Sequence, residues 1–278
     1  PLLWWEREFK GNRTNINMDM AANALIRGCY TAGPFNPDNI RGRGAWWDKD
    51  AETAILNLGN TLIVSGKDHD PPEYPGRYIY ERVDPFPPPS KSPLTTREAH
   101  QLLELCDLLS WERSLSSLLL AGWCVIAPIC GALDWRPSVW ILGPSGSGKG
   151  WILEHIVKLI VGDWAILAEG DTTAAGLVQT ALKSDARPIL FDEAEAENER
   201  AIARIRDILF LMRVGSSSTG GRQYKGTSDG RGRSTQARTC FLYASINLPV
   251  SQFPDMSRVA TLALVKNDDP DQFAAIKA

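Results

Sequence analysis

The chain has 278 residues, of which 44% are hydrophobic and 23% charged, and its net charge is −3. This composition excludes disordered and fibrous proteins, and the length suits one large domain or two modest ones. The net negative charge excludes a generally basic surface, so any nucleic acid must bind at a local basic patch. The five cysteines are scattered without zinc-ligand spacing, which argues against a disulfide framework or a zinc site and favours a reducing cytoplasm.

Residues 1–90 are predicted to form a small mixed α+β accessory unit. A helical pattern covers residues 18–27, and the alternating runs TAILNLGNTLIVSG and GRYIYERV are typical of strands. The segment 83–93, VDPFPPPSKSP, is rich in proline and predicts a linker. The chain begins at Pro1 without a methionine or a leader-like segment, and we expect further domains outside it.

The segment 94–135 is predicted to be helical, as a collar or lid. Thr95 or Thr96 is the expected cap of the helical run REAHQLLELCDLLSW. Residues 114–133 carry no charge and are long enough to span a bilayer. Because this stretch contains a proline and two glycines and runs into the strand before the next motif, we favour a pair of buried helices and expect no membrane partner.

From residue 136 to residue 278 the pattern changes to short apolar runs that alternate with helical runs. The strand-like runs are PSVWILG, WAILAEG, RPILFDEAE, TCFLYASIN and RVATLALVK. This alternation predicts an α/β core, in which crossover helices connect the strands of a parallel sheet.

The first motif follows the first of these strands and opens a helix, in the stretch WILGPSGSGKGW. A glycine-rich turn in this context is typical of a phosphate-binding loop, whose backbone N–H groups and helix dipole bind phosphate while a lysine neutralises its oxygens. The alternative is a chance match on a surface loop. The residues expected to bind the nucleotide are Gly143, Pro144, Ser145, Gly146, Ser147, Gly148, Lys149 and Gly150.

The second motif is RPILFDEAE, an apolar strand that ends in Asp192 and Glu193. Ligands of parallel sheets bind at the carboxyl ends of strands, so Asp192 is expected to hold Mg²⁺ through water and Glu193 to orient the attacking water. The alternative is an exposed acidic strand end.

The third motif is CFLYASIN, a strand that ends in Asn247, a candidate bridge between a γ-phosphate and the lytic water. Arg258 follows in FPDMSRVA, at the start of the next strand. In a ring of ATPases an arginine at this place reaches the neighbouring subunit's γ-phosphate. The alternative for Arg258 is a surface ion pair with Asp255.

The fourth motif is the basic segment, residues 220–238. Counted from Arg213 through Arg238, this part of the chain has six basic residues against one acidic residue. Its SDG turn between two β-compatible runs predicts a hairpin with its tip near residues 228–232. A basic hairpin of this kind suits a phosphate backbone contacted without sequence readout, although a flexible solvated loop is the alternative. The candidate DNA-binding residues are Arg222, Lys225, Arg231 and Arg233.

The order and spacing of these four motifs resemble the superfamily 3 helicases of the AAA+ ATPases, especially the helicase parts of phage, plasmid and poxvirus-type primase-helicases. The resemblance covers about residues 136–267. A looser resemblance, to the region before the ATPase in prophage primase-helicases, is carried by RGRGAWWD, RYIYER and LLLAGW with APICGALDWRP. It implies an AAA+-type core and an ATP- and Mg²⁺-dependent helicase that forms a hexameric ring on single-stranded DNA.

The resemblance also implies a fused or associated primase domain and a phage or mobile-element protein acting in the cytoplasm of a bacterial host. The sequence departs from the pattern at Gly150, where a serine or threonine hydroxyl is expected to bind Mg²⁺. We therefore expect weaker Mg²⁺ binding and slower hydrolysis. Two alternatives are an ATPase that assembles or loads a ring without unwinding, which Gly150 favours, and a small-molecule kinase.

Overall fold

The structure is a computed structural model that describes residues 17–33, 36–192, 199–217, 223–225, 233–235, 237–247 and 253–266. The chain divides into two compact units, residues 1–39 and residues 40–278. In the first unit, helix α1 covers Met18–Ala32. The Asn17 side chain caps it by accepting from the backbone N–H of Met20, and Gly33 ends it with φ of 75°.

The second unit begins with a small antiparallel sheet in the order β2-β3-β4-β5. Its strands are β2 (Gly44–Asp48), β3 (Thr53–Asn57), β4 (Leu62–Val64) and β5 (Lys67–His69). The short strands β1 (Ile40–Arg41) and β6 (Ile79–Tyr80) pair in parallel beside it. Trp46, Ile55 and Leu62 form the buried centre of this part. The strands predicted in residues 53–66 and 76–83 are thus confirmed.

The small sheet lies directly against the rest of its unit. A Cβ atom at Gly44 would lie 2.2 Å from the carbonyl oxygen of Ala186, and the φ of Gly44 is +119°. Only glycine satisfies both conditions. In the proline-rich segment, Phe86 is buried, and the guanidinium groups of Arg43 and Arg187 each lie 4.7 Å from its ring centroid.

Two helices precede the main sheet, α2 (Thr96–Asp107) and α3 (Leu115–Ile126). Thr95 caps α2 through a capping box with Glu98. A 3-10 segment, Ala127–Ala132, follows α3 in place of the second predicted helix, because the Pro128 ring removes a backbone donor. Among the described residues, one helical stretch, Leu115–Ala132, is long and apolar enough to cross a membrane, and half of it is buried within the protein.

The main sheet has five parallel strands in the order β13-β7-β12-β9-β8, which confirms the predicted α/β core. The two remaining strands, β10 and β11, form a separate antiparallel pair. The bounds of these strands are β7 (Ser138–Leu142), β8 (Ile166–Ala168), β9 (Ile189–Phe191), β10 (Gln223–Lys225), β11 (Arg233–Thr235), β12 (Phe241–Ser245) and β13 (Val259–Ala263).

Helices cover both faces of this sheet. The helix after β7 comprises α4 (Lys149–Ile152), a π-helical turn (Leu153–Val157) and α5 (Lys158–Val161), and it packs with α3 on one face. On the other face lie α6 (Ala174–Gly176) with its π-helical continuation, and α7 (Glu199–Gly215). The short helix α8 (Phe253–Met256) precedes β13. The chain therefore changes face between the helix that follows β7 and the helices that follow β8 and β9.

Candidate functional site

The glycine loop, residues 143–148, joins the carboxyl end of β7 to the first turn of α4. Its turns require glycine, because φ is +76° at Gly146 and +97° at Gly148, which caps the helix. Among the described residues, no heavy atom lies within 4 Å of a Cβ atom at Gly146 or Gly150. The loop therefore presents open backbone ahead of a helix N-terminus, an arrangement suited to an anion.

A close contact inside the loop fixes its first residue. A Cβ atom at Gly143 would lie 2.4 Å from the hydroxyl of Ser147 and 3.0 Å from the Cβ of Leu264. The Ser147 hydroxyl is buried and has no hydrogen-bond partner in the described residues. The loop thus folds tightly on itself and holds a buried polar group at its base.

The Lys149 side chain folds back over the loop. Its ammonium group donates to the carbonyl oxygens of Gly143, at 2.6 Å, and Pro144, at 3.0 Å. The positive charge is therefore held at the mouth of the loop, beside the N-terminus of the helix that Lys149 begins. The lysine charge and the helix dipole both favour a bound anion there.

The strand register places two further predicted residues at the same carboxyl edge. Leu142 is the Cα partner of Ser245, and Phe191 is the partner of Tyr243. Asp192 thus follows β9 two strands away from the glycine loop, roughly 10 Å across the sheet. It is exposed, and its backbone N–H donates to Ala168.

Asn247 lies two residues beyond the end of β12. A relay of hydrogen bonds fixes its backbone: Trp140 Nε1 donates to Ser245 Oγ at 2.8 Å, and Ser245 Oγ donates to the carbonyl oxygen of Asn247 at 2.7 Å. Trp140 and Ser245 are buried, and Asn247 is exposed. The relay ties the backbone at Asn247, just past β12, to the strand that carries the loop.

The loop also occupies the place in the sheet where α/β proteins bind ligands. The helix after β7 packs on one face, whereas the helices after β8 and β9 pack on the other. A crevice opens at the carboxyl edge where the connections diverge in this way. Lys149, Asp192 and Asn247 lie at this same carboxyl edge, and Glu193 lies outside the described residues.

Arg258 lies at the opposite, amino edge of the sheet. Val259 is the Cα partner of Ser138 at the start of β7, while the glycine loop follows Leu142 at its end. Six residues of rise along β7 separate the level of Arg258 from that of Gly143, which is roughly 20 Å. An extended arginine side chain spans less than half of that distance, so Arg258 does not reach the loop of its own chain.

The side chain of Asp255, the alternative partner of Arg258, pairs with a different arginine. Its Oδ1 lies 2.8 Å from Nε of Arg213, in the last turn of α7. Arg258 contacts Asp255 through the backbone, where its N–H donates to the Asp255 carbonyl oxygen at 3.0 Å. The ion pair between Arg213 and Asp255 joins distant segments, and no local spacing in the sequence indicates it.

The predicted hairpin is present as an antiparallel pair in which Lys225 and Arg233 are Cα partners. Two basic residues thus occupy directly opposite positions in the pair. Arg222, Arg231 and the predicted tip at residues 228–232 lie outside the described residues.

A cationic cluster at the amino edge was not indicated by the sequence. Arg136 is fully buried and donates to the carbonyl oxygens of Cys130 and Gly215. Burial, with the nearby charges of Arg136 and Arg41, lowers the pKa of Arg238 to about 10. These residues come from three separate stretches of the chain, and only the folded structure brings them together.

Comparison with known proteins gives structural similarity alone. No protein family matches the chain, and no curated protein does. Among solved structures, it is similar to the apo structure of the NrS-1 C-terminal region (305–718), with 15% identity and a TM-score of 0.46. It is also similar to the A form apo structure of that region, with 17% identity and a TM-score of 0.42. Each match covers 84% of this chain and 62% of the other, so the chain spans less than two thirds of their length.

Proposed function

We propose that this chain is an ATPase that binds the phosphates of ATP, with Mg²⁺, at the glycine loop. The observation that supports this most is the loop itself: positive-φ glycines and a lysine ammonium precede a helix at the point where the sheet changes face. The open space over Gly146 and Gly150 and the unpartnered Ser147 hydroxyl fit a group that supplies oxygen acceptors.

In this proposal each residue of the carboxyl edge has a role. Backbone N–H groups of the loop and the Lys149 ammonium hold the β- and γ-phosphates. Asp192, roughly 10 Å across the sheet, holds Mg²⁺ through water. Glu193 orients the attacking water, and Asn247 contacts the γ-phosphate and that water. Mg²⁺ and these dipoles supply charge stabilisation for phosphoryl transfer.

The position of Arg258 supports a ring. Because Arg258 lies roughly 20 Å along the sheet from its own loop, its use in catalysis requires the loop of a neighbour. A contact between the amino edge of one subunit and the carboxyl edge of the next is heterologous, and such contacts form a ring when the rotation between subunits closes. We therefore propose an AAA+-type ring, in keeping with the superfamily 3 resemblance of the motifs, and expect it to be hexameric.

The basic segment indicates which partner the proposed ring would bind. The pairing of Lys225 with Arg233 concentrates positive charge on one hairpin of an otherwise acidic chain. Arg222, Lys225, Arg231 and Arg233 would contact the phosphates of single-stranded DNA without reading bases. We propose a DNA helicase or translocase module of a phage-like replication protein, working with a primase in the cytoplasm of a bacterial host.

A second candidate is an assembly or loader ATPase, which binds ATP to close a ring on DNA or on a protein without unwinding. Gly150 favours it. The residue after Lys149 offers no hydroxyl to Mg²⁺, and the space beside it is open. Mg²⁺ ordinarily keeps several waters, so water replaces the lost ligand at a cost in affinity and rate.

The experiment is Mg²⁺-dependent ATP turnover with and without single-stranded DNA, for the native chain, Glu193→Gln and Gly150→Ser. The Gly150→Ser side chain enters open space, so this variant tests the missing ligand without disturbing the loop. For a helicase we expect DNA-stimulated turnover that is lost in Glu193→Gln and raised in Gly150→Ser.

Bound nucleotide and assembled rings without native turnover would favour the loader. Absence of nucleotide binding at millimolar ATP in both the native chain and Gly150→Ser would refute the ATPase.

A further inference from the structure

Asp255 is a carboxylate buried in the protein interior at the amino edge. Its residue is 2% exposed, although it lies in a four-residue helix directly before β13. Burial of a carboxylate is costly unless it is paired. Because its burial is unfavourable, the Asp255 carboxylate is expected to have a specific partner.

The partner is Arg213, whose Nε lies 2.8 Å from the carboxylate while a quarter of its side chain stays in contact with solvent. The contact is electrostatic, since neither atom has hydrogen-bond geometry. Asp255 also faces the interior of the sheet: burial, together with the Asp255 charge, raises the pKa of Tyr243 on β12 well above its usual value. The carboxylate thus lies between α7 and the central strands.

The same residue holds the turn that carries Arg258. The backbone N–H of Arg258 donates to the carbonyl oxygen of Asp255, and the next residue, Val259, enters β13. The side chain of Asp255 therefore fixes the start of this turn to α7, and its carbonyl fixes the end. Rotation of the turn would require the ion pair to open.

Arg213 connects this turn to the rest of the proposed machinery. It lies in the last turn of α7, the helix that runs from the acidic motif toward the basic segment. Two residues later, the Gly215 carbonyl accepts from the buried Arg136. The C-terminus of α7 is thus bonded both to the residues that lead into β7 and to the turn before Arg258.

We propose that Asp255 is a positioning residue for Arg258, and that its ion pair with Arg213 ties the Arg258 turn to the base of the basic segment. This inference rests on the proposed function, because Arg258 matters only if it completes a neighbour's ATP site. Asp255 itself contacts no substrate; it acts by holding the direction in which Arg258 leaves the sheet.

The test compares Asp255→Asn with Asp171→Asn. Both remove a carboxylate paired with an arginine of α7, but Asp171 is fully exposed and pairs with Arg204. We expect Asp255→Asn to lower kcat by about 10- to 100-fold, since small misplacements of a catalytic group have effects of this size. KM for ATP should stay unchanged, because the loop lies at the other edge. Asp171→Asn should behave as the native chain.

Two further readouts separate positioning from general destabilisation. The double variant Asp255→Asn/Arg258→Ala should be no slower than Arg258→Ala alone, because both act through one group. Hydrogen exchange of the Arg258 amide should be faster in Asp255→Asn, since that amide is bonded to Asp255.

Native kcat in Asp255→Asn, additive losses in the double variant, or unchanged exchange would overturn the proposal. Faster exchange in a protein whose native form binds no nucleotide would uphold the tie between Asp255 and Arg258 and refute the ATPase.

Discussion

The separation of Arg258 from the glycine loop predicts that two inactive variants restore activity when they are mixed. Lys149→Ala removes the ammonium group from the loop, and Arg258→Ala removes the residue offered to a neighbour. Each variant alone should lose turnover, on the order of a thousandfold for Arg258→Ala. In a mixed ring, however, an Arg258→Ala subunit keeps an intact loop, and a Lys149→Ala neighbour keeps an intact Arg258.

The expected extent of rescue follows from the geometry. With roughly 20 Å between Arg258 and its own loop, a complete site requires two adjacent subunits. In an equimolar random mixture, about half of the loops are intact and about half of those face an intact arginine, so about a quarter of the sites are complete. Turnover should therefore reach about a quarter of the native rate per subunit.

The assay is steady-state ATP turnover of the two variants at a fixed total concentration and a series of mixing ratios, after dissociation and reassembly. The rate should be highest at the equimolar ratio and fall toward either pure variant. A mixture of Lys149→Ala with the double variant Lys149→Ala/Arg258→Ala is the matched control, because it contains no intact loop. Background turnover at every ratio, with mixed rings demonstrated by mass, would refute the interfacial role of Arg258.

Two other predictions concern close contacts of glycines. Gly143→Ala places a Cβ atom 2.4 Å from Ser147 Oγ; we expect nucleotide affinity to fall by about 1–3 kcal/mol, with partial recovery in Gly143→Ala/Ser147→Ala, measured by calorimetry. Equal losses in both variants would contradict the contact. Gly44→Ala places a Cβ atom 2.2 Å from the carbonyl oxygen of Ala186, and it should lower the free energy of unfolding, measured in urea, by about 3 kcal/mol. The control Gly66→Ala, whose Cβ meets no described atom, should lower it by about 1 kcal/mol. Equal effects would mean that the small sheet is not held at Gly44.

The parts of the fold that follow from local pattern were predictable. Each strand of the main sheet was indicated by an apolar run between helical runs, and the glycine loop by its place between β7 and α4. The cap of α2 was indicated by a threonine three residues before Glu98. These signals are short-range, since periodicity and capping depend on residues within a few positions of one another.

The parts that depend on distant residues were not predictable. The ring of Phe86 contacts the guanidinium groups of Arg43 and Arg187, residues separated by long stretches of chain. The pairing of Asp255 with Arg213, rather than with its neighbour Arg258, depends on how α7 packs beside α8. Composition marks such residues as charged or aromatic, but only tertiary packing selects their partners.

If the glycine loop binds phosphate as we propose, the hydrogen bonds of Lys149 would make that binding selective. The carbonyl oxygens of Gly143 and Pro144 hold its ammonium group, and an entering anion must compete with both. A single weakly charged phosphate offers little advantage over two backbone carbonyls, whereas a polyphosphate presents several oxygens to the lysine and to the helix N-terminus at once. Under the proposed function, the loop would therefore discriminate by charge density before any contact with base or sugar is made.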